Sequence, residues 1–270
     1  MVIYFLGSNG DSIMKNAIEK LGKQKVASLV KKFSKEFKIP KDLHIDYVLN
    51  ACIAKPGLAP DMNKKRKKKL SEDECVRAWV KKFSDGYENR ISQHSSKPPA
   101  TKADTAVTHI IKKVTNCKEE DANKIIFAHR LGMSAENILG LLLEEFLFKK
   151  LSKAGWVMAW GSTISHVDFC NANADVLQIK NRDNSENSSS KTVRDGEVIF
   201  LWVRGNSKTG ETNWAQLKTL LQLPQTVTGL NEKNFEKYIE KILGDNPRIL
   251  ALDTDNPWIK QGKENEKCDK

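Results

Sequence analysis

Residues 166–190 read HVDFCNANADVLQIKNRDNSENSSS, and the fold of the chain turns on how this stretch is laid out. An acid, Asp168, precedes one apolar run, a second run ends in Gln178-Ile179-Lys180, and a polar burst from Asn181 to Ser190 follows. Side chains alternate between the two faces of a strand, so Gln178 and Lys180 share a face and Ile179 takes the other. With Asp168 on a neighbouring strand, a carboxylate, an amide oxygen and an ammonium converge at one sheet edge.

Working upstream, residues 134–153 carry the strongest helical pattern in the chain, with Ser134 as expected N-cap and Gly155 as expected stop. Inside it, Gly140-Leu-Leu-Leu-Glu144-Glu145-Phe146 sets two acids among Leu141, Leu147, Phe148 and Leu151. A charge on such a face is costly unless it is paired or binds a metal. The plain alternative is the solvated side of a half-buried helix, where most Glu pairs lie. Asp168 alone could cap a turn, and a Gln-x-Lys strand alone occurs by chance. The joint order of helical Glu, Gly-Trp stop, Asp, and strand with Gln-x-Lys is the informative signal.

Strands are expected at 156–160, 166–169, 175–179 and 198–203, then a helix at 231–243 and a last strand at 248–252. Toward the N-terminus, Ile13, Ala17, Ile18, Leu21, Val26, Leu29, Val30 and Phe33 recur at helical spacing among lysines. Another helix is expected over 71–83, opened by a Ser71-x-x-Glu74 capping box, with two more at 105–114 and 119–129. Residues 91–103, rich in Ser, Pro and Lys, read as a linker or loop. Helices, a run of strands and a helix predict an α/β (α+β) fold whose central mixed β-sheet is flanked by helices. The expected organisation is a helical, basic N-terminal region over 1–100 and a catalytic core over 101–270.

The chain has 270 residues, enough for one large or two modest domains, and carries 45 Lys and Arg against 34 Asp and Glu, a formal charge of +11. That excess favours a polyanionic partner. The run from Lys64 to Lys69 reads as a solvated loop, an arm on phosphates or a localisation signal. Five scattered cysteines without a CxxC pair indicate neither a zinc knuckle nor a disulfide framework, and free, mostly buried thiols in a reducing cytoplasm are the preferred reading. The opening MVIYFLGSNG has no basic n-region and is too short to span a membrane. The five histidines are dispersed, and neither a phosphate-loop lysine nor a GxSxG elbow is found.

Phosphodiester hydrolysis needs a nucleophilic water, neutralisation of charge on the phosphate and help for the leaving oxygen, and hard divalent cations on oxygen ligands supply all three. Asp168, Gln178, the Ile179 carbonyl and Glu144 form a candidate magnesium-binding set, with Lys180 to orient the water. Beyond them, Asn181, Arg182, Asn184, Ser185, Asn187, Ser188 and Ser189 are residue types that read base edges and contact phosphates, although the same composition suits a disordered polar loop. Arg182 ranks first as base reader. Lys208 and Asn213, near Gly205 and Gly210, sit on a second candidate DNA-facing loop, and Trp214 reads equally as core or functional aromatic.

The order from Gly140 to Lys180 resembles the PD-(D/E)XK nuclease superfamily, with a helical Glu, an Asp opening a strand and an acid-x-Lys ending the next. In its resolvase branch a G-x-x-x-E helix precedes a Gly-aromatic stop, as Gly140, Glu144, Gly155 and Trp156 do here, and that match favours Glu144 over Glu145. Two positions depart: Val167 precedes Asp168 where the family has Pro, and Gln178 takes the second acid position. QIKNRDNSENSSS, then Arg194-Asp195-Gly196, Trp202, Arg204 and Ser207 to Trp214, is similar to type II restriction endonucleases of the SinI group. The resemblance implies a magnesium-dependent, site-specific deoxyribonuclease of the prokaryotic cytoplasm that cuts double-stranded DNA at a short symmetric GG/CC-flanked site and leaves 5′-phosphates. It further implies a homodimer, since a symmetric site needs a symmetric reader, and a cognate DNA methyltransferase protecting the host. The rival readings are a DNA-binding protein without catalysis and a structure-selective nuclease such as a junction resolvase.

Overall fold

Apolar residues at helical spacing build the N-terminal helices α1 (Ile13–Leu21), α2 (Lys23–Glu36) and α3 (Ile45–Ala54), and a capping box starts α4 (Glu72–Glu88). The computed structural model describes residues 2–5, 13–60, 70–94, 104–183 and 197–250. In the box, Ser71 Oγ accepts from Glu74 N–H at 3.3 Å while Ser71 N–H donates to Glu74 Oε2 at 2.8 Å, so two helix-end donors are satisfied reciprocally. Val26, Val30 and Phe33 of α2 and Val76, Trp79, Val80 and Phe83 of α4 are buried, the inward stripes of amphipathic helices. Helix α3 lies beyond the periodic stretch that ends at Phe33 and was not expected. Its apolar residues Ile45, Val48, Leu49, Ala51 and Cys52 are buried over a short helix with little polar contrast.

Among the described residues five strands form one sheet, in the order β1-β5-β4-β3-β2. They are β1 (Val2–Phe5), β2 (Trp156–Met158), β3 (Phe169–Asn171), β4 (Val176–Arg182) and β5 (Glu197–Gly205). The β4–β5 pairing is parallel, with Gln178 opposite Leu201 and Lys180 opposite Val203, and the other pairings are antiparallel. The sheet is therefore mixed, and with its helices it has the expected α+β class and is consistent with a nuclease-like core. Strand β1 comes from the short apolar run at the N-terminus, which the sequence pattern had not marked as a strand.

Three expectations change. Residues 119–129 and 134–153 belong to one helix, α6 (Glu119–Leu151), following α5 (Thr105–Thr115), so Ser134 is mid-helix and caps nothing. No proline interrupts the span, and Gly132 alone does not end a helix. Gly155, at φ 76°, does terminate it through a 3₁₀ turn at Ser152–Ala154. The strand expected at 166–169 begins only at Phe169, because His166 adopts φ 62°. After α7 (Trp214–Leu220) and α8 (Glu232–Asp245), residues 248–250 form no strand. There Asn246 Nδ2 donates to the His94 carbonyl at 3.1 Å and Ile249 N–H to the Asn246 carbonyl at 3.1 Å, which turns the chain.

The described residues of Met1–Arg90 and Leu143–Tyr238 make one compact unit and those of Ile91–Leu142 and Ile239–Lys270 another. The first holds the sheet and α1–α4, and within it α4 clasps the 160–165 loop. Trp79 Nε1 donates to the Thr163 carbonyl at 2.9 Å, Lys82 Nζ to the Ser162 carbonyl at 2.9 Å, and Ser165 N–H to the Leu58 carbonyl at 2.8 Å. The second unit contains α5, whose Val107, Ile110 and Val114 are exposed. Among the described residues no helix is long and apolar enough to cross a membrane.

A Cβ on Gly86 would lie 2.6 Å from Gly161 Cα and 2.9 Å from the Trp160 carbonyl carbon, both backbone atoms, whereas one on Gly132 meets nothing within 4 Å. Gly86→Ala is expected to lower the unfolding free energy by ~1–3 kcal/mol or more, the usual cost of overfilling a packed site. Gly132→Ala is expected to leave it unchanged or raise it by up to ~1 kcal/mol through helix propensity. Urea melts of the two variants check the contrast, and equal destabilisation would contradict it.

Candidate active site

Strand β4 sets the frame. Leu177 and Ile179 are buried on one side of it, while Gln178 and Lys180, both half-buried, alternate to the other. Asp168 reaches this strand from the residue before β3. Its Oδ2 accepts the Ile179 N–H at 2.7 Å, and its own N–H donates to the Leu177 carbonyl at 2.9 Å. The carboxylate is thus tied to the backbone between Gln178 and Lys180.

Helix α6 delivers the second acid. Glu144 and Asp168 lie within electrostatic reach, and Glu144 is held well above the usual carboxylate range, first by burial and then by the charge of Asp168. Asp168 keeps some surface open to solvent, yet burial pushes it up to about 6 against two opposing effects, the Ile179 N–H bond and the Lys180 ammonium. Two carboxylates drawn out of water beside one another repel, and a bound cation relieves that repulsion.

Glu145 turns elsewhere. It is 2% exposed, and its Oε1 lies 3.6 Å from Arg90 Nε, whose guanidinium stacks 4.5 Å over the Tyr87 ring. The adjacent acids therefore separate, Glu144 toward Asp168 and Glu145 into a buried ion pair.

The set Glu144, Asp168, Gln178 and the Ile179 carbonyl consists of hard oxygen donors suited to a divalent cation rather than to a soft metal. Among the described residues no group of three or more His, Cys, Asp or Glu side chains is arranged around a common point. The charged donors number two, and the remaining oxygens are neutral. Three of the four described thiols, Cys52, Cys75 and Cys170, are buried, and burial pushes Cys52 up to about 12, so these are packing residues.

Of the expected DNA-contacting residues, Arg182 is exposed at the end of β4, and Lys208 and Asn213 are exposed on the loop after β5. Asn181 is half-buried, and its Oδ1 accepts from Arg204 Nε at 2.9 Å. Asn184, Ser185, Asn187, Ser188 and Ser189 lie outside the described residues, as does the Lys64–Lys69 run. Trp214 is core: it is 6% exposed, packs 5.2 Å from Trp202 and 5.8 Å from Phe146, and its Nε1 donates to Glu232 Oε2 at 2.8 Å. The sequence reading missed Arg204 and Glu232 as partners. A charge closing the apolar strand EVIFLWVRG was the available signal, since buried charges need partners.

The SinI restriction endonuclease family model matches residues 39–245, which spans both carboxylates and the whole of β4 and β5. The chain belongs to the SinI restriction endonuclease family. It is 34% identical over 243 residues to type II restriction enzyme Eco47I of Escherichia coli, covering 87% of this chain and 98% of the relative. It is also 34% identical over 188 residues to type II restriction enzyme SinI of Salmonella infantis, covering 67% of this chain and 77% of the relative. For this SinI-family chain, the match includes α3, α4, and the loop that α4 clasps as well as strands β2 to β5.

The raised carboxylates make stability depend on pH in a stated direction. In the folded chain Asp168 holds its proton up to about 6, and an unfolded Asp releases it near ~3.9. Between these values the folded state binds more protons, so stability falls as pH rises. The Tm of metal-free protein is expected to fall from pH 4 to pH 7, and Glu144→Gln to flatten that fall. A profile as steep in Glu144→Gln as in the parent would show that Glu144 is not held above the usual carboxylate range.

Proposed function

We propose that this SinI-family chain is a type II restriction endonuclease: a site-specific, metal-dependent nuclease that hydrolyses double-stranded DNA at a short symmetric site and leaves 5′-phosphates. The observation that carries the reading is the meeting of Glu144, Asp168 and Lys180 at one strand, in a chain whose relatives are type II restriction enzymes. The net charge of +11 suits a polyanionic substrate.

In this mechanism Glu144, Asp168, Gln178 and the Ile179 carbonyl would hold a divalent cation, with magnesium as the proposed ion. When bound there, such an ion would supply a nucleophilic water and neutralise charge growing on the phosphate. Asp168 is kept in place by the Ile179 N–H, so its second oxygen is the one offered outward. Lys180, two residues along from Gln178 on the same face, orients the attacking water and donates hydrogen bonds to the phosphate oxygens. Water attacks phosphorus in line and gives up a proton to solvent, the P–O3′ bond breaks, and the leaving 3′ oxygen takes a proton from solvent to become the hydroxyl.

Substrate choice is assigned to Arg182 and the segment beyond it, with Lys208 and Asn213 contacting the duplex from the second loop. Arginine at the end of the cutting strand has the geometry for bidentate bonds to guanine. A homodimer places two such strands across a symmetric site, and a cognate methyltransferase would protect the host's own copies.

Incubation of purified protein with plasmid DNA and magnesium, beside a four-way junction, is expected to give discrete plasmid fragments. Junction-only cutting indicates a resolvase, and intact DNA in both lanes a non-catalytic binder. Asp168→Ala or Lys180→Ala is expected to reduce plasmid cutting by roughly 10²–10⁴-fold, the range for losing a positioned proton-transfer or charge-stabilising group, with an unchanged circular dichroism spectrum. Full activity in either variant removes the mechanism.

The two proposed DNA contacts are expected to respond differently. Arg182→Ala should relax the choice of base at one symmetric pair of positions, and Lys208→Ala should weaken binding evenly across sequences, with the log–log salt slope reduced by about 1. Fluorescence anisotropy titrations over a salt series, with cut-end sequencing, separate these outcomes.

A further inference from the structure

Next to the cutting residues, the far side of β4 holds a group of polar side chains that the hydrolytic mechanism does not use. Pairing of Lys180 with Val203 and of Arg182 with Gly205 sets Asn181 across from Arg204 on β5. Arg204, 7% exposed, donates from Nε to Asn181 Oδ1 at 2.9 Å and from Nη1 to Glu232 Oε1, and it lies 5.4 Å over the Phe235 ring. Glu232 Oε2 in turn accepts from Trp214 Nε1 at 2.8 Å. One residue past Arg182, Asp183 Oδ1 accepts the Ser207 N–H at 2.6 Å, and Ser207 precedes Lys208 on the second loop.

Both neighbours of Arg182 are therefore fastened by their side chains to β5 or to the loop after it, while Arg182 itself is exposed. Guanidinium has only donors, so Asn181 must present its oxygen inward to Arg204. Strand alternation agrees, since Asn181 points away from the face of Gln178 and Lys180, and Arg182 returns to it.

We infer that Arg204, held by Glu232 and Trp214, is a positioning residue for site specificity: through Asn181 it fixes the backbone that aims Arg182 at the base edges of the duplex. Asn181 is then an anchor rather than a DNA contact. The inference rests on the restriction-endonuclease reading and on Arg182 as base reader. It accounts for a buried charge that an apolar core would otherwise exclude. Replacing a buried ion pair by apolar groups is often neutral or stabilising, so stability alone does not explain why the pair is there.

The test uses the full-length protein with magnesium and a randomised duplex library whose cut ends are sequenced. A duplex carrying the motif so found then gives kcat and KM beside a duplex with one base pair changed. Asn181→Leu keeps the volume and the Arg204–Glu232 pair but removes the acceptor, and is expected to reduce discrimination against the changed duplex by roughly ten- to a hundredfold, the span of one base-edge contact. Asn181→Asp restores the acceptor and is expected to recover most of that discrimination. In an Arg182→Ala background, Asn181→Leu should cost no further discrimination, because the residue it positions is gone.

Parental discrimination in Asn181→Leu overturns the inference. Equal damage in Asn181→Asp and Asn181→Leu also overturns it, since a carboxylate facing DNA harms a contact but not an anchor. Additive losses with Arg182→Ala overturn it as well. A parent protein that cuts nothing defeats the nuclease reading separately, and the same variants are then compared by gel shift on the library. There, unchanged selectivity in Asn181→Leu, or no binding by the parent, counts against the positioning role.

Discussion

Between Gly86 and Gly161 two backbones approach so closely that no side chain fits, and the placement of the candidate site depends on that approach. A Cβ on Gly86 would stand 2.6 Å from Gly161 Cα, and Gly161 itself adopts φ 68° with the Lys82 backbone against it. Only glycine meets both demands at Gly161, positive φ and bare contact with a helix. Around this point Trp79, Lys82 and Cys52 all send hydrogen bonds to carbonyls at Ser162 and Thr163. Trp160 is gripped between Tyr87 at 5.4 Å and Phe148 at 5.2 Å. The N-terminal helices thus fix the loop that runs into Asp168, and their part in the site is to hold it from behind.

Beyond the loop, a short chain of polar contacts carries that placement into the chemistry. The Ala159 N–H donates to the Asp168 carbonyl at 2.8 Å, and the Asp168 carboxylate accepts the Ile179 N–H at 2.7 Å, so the acid is bonded through backbone and side chain to two strands. Such a group cannot swing away from Glu144 to relieve repulsion. The carboxylates remain within electrostatic reach, burial raises both and the Asp168 charge adds to the rise at Glu144, a cost that a bound cation would relieve. Glu145 is the control within the same helix turn. Supplied with Arg90, it is a buried charge already satisfied.

Much of this was legible in the amino-acid order. The alternation in Val176–Arg182 gave Gln178 and Lys180 a common face, the apolar setting of Glu144 marked it as a charge drawn out of water, and Gly155 did stop its helix. What escaped was information that only long-range contact supplies. Two helices were expected where α6 is single, since Ser134 is as good a cap chemically as it is a mid-helix residue, and nothing local distinguishes the two. Strand β1 is four residues of an apolar run, too short for periodicity to speak. Arg204 and Glu232 are 28 residues apart and meet only because β5 and α8 pack together. Asn181 was grouped with the polar burst that follows it, and strand alternation, applied one residue further, would have turned it inward.

The neutral Gln178 fits this electrostatic picture better than an acid would. Burial already raises the proton affinity of Glu144 and Asp168, the Asp168 charge raises that of Glu144 further, and Lys180 is the cation whose charge opposes the rise at Asp168. A third carboxylate on the Lys180 face would add repulsion to a pair whose geometry is fixed by backbone bonds. It would also compete with Asp168 for the ammonium. An amide oxygen contributes a ligand without that charge, so the metal-free fold is spared a further penalty at neutral pH, at the expense of weaker attraction for a cation. On the proposed mechanism the carboxylates then supply most of the attraction for the ion. Gln178 sets the position of one oxygen, a role that needs the right face of β4 more than it needs a negative charge.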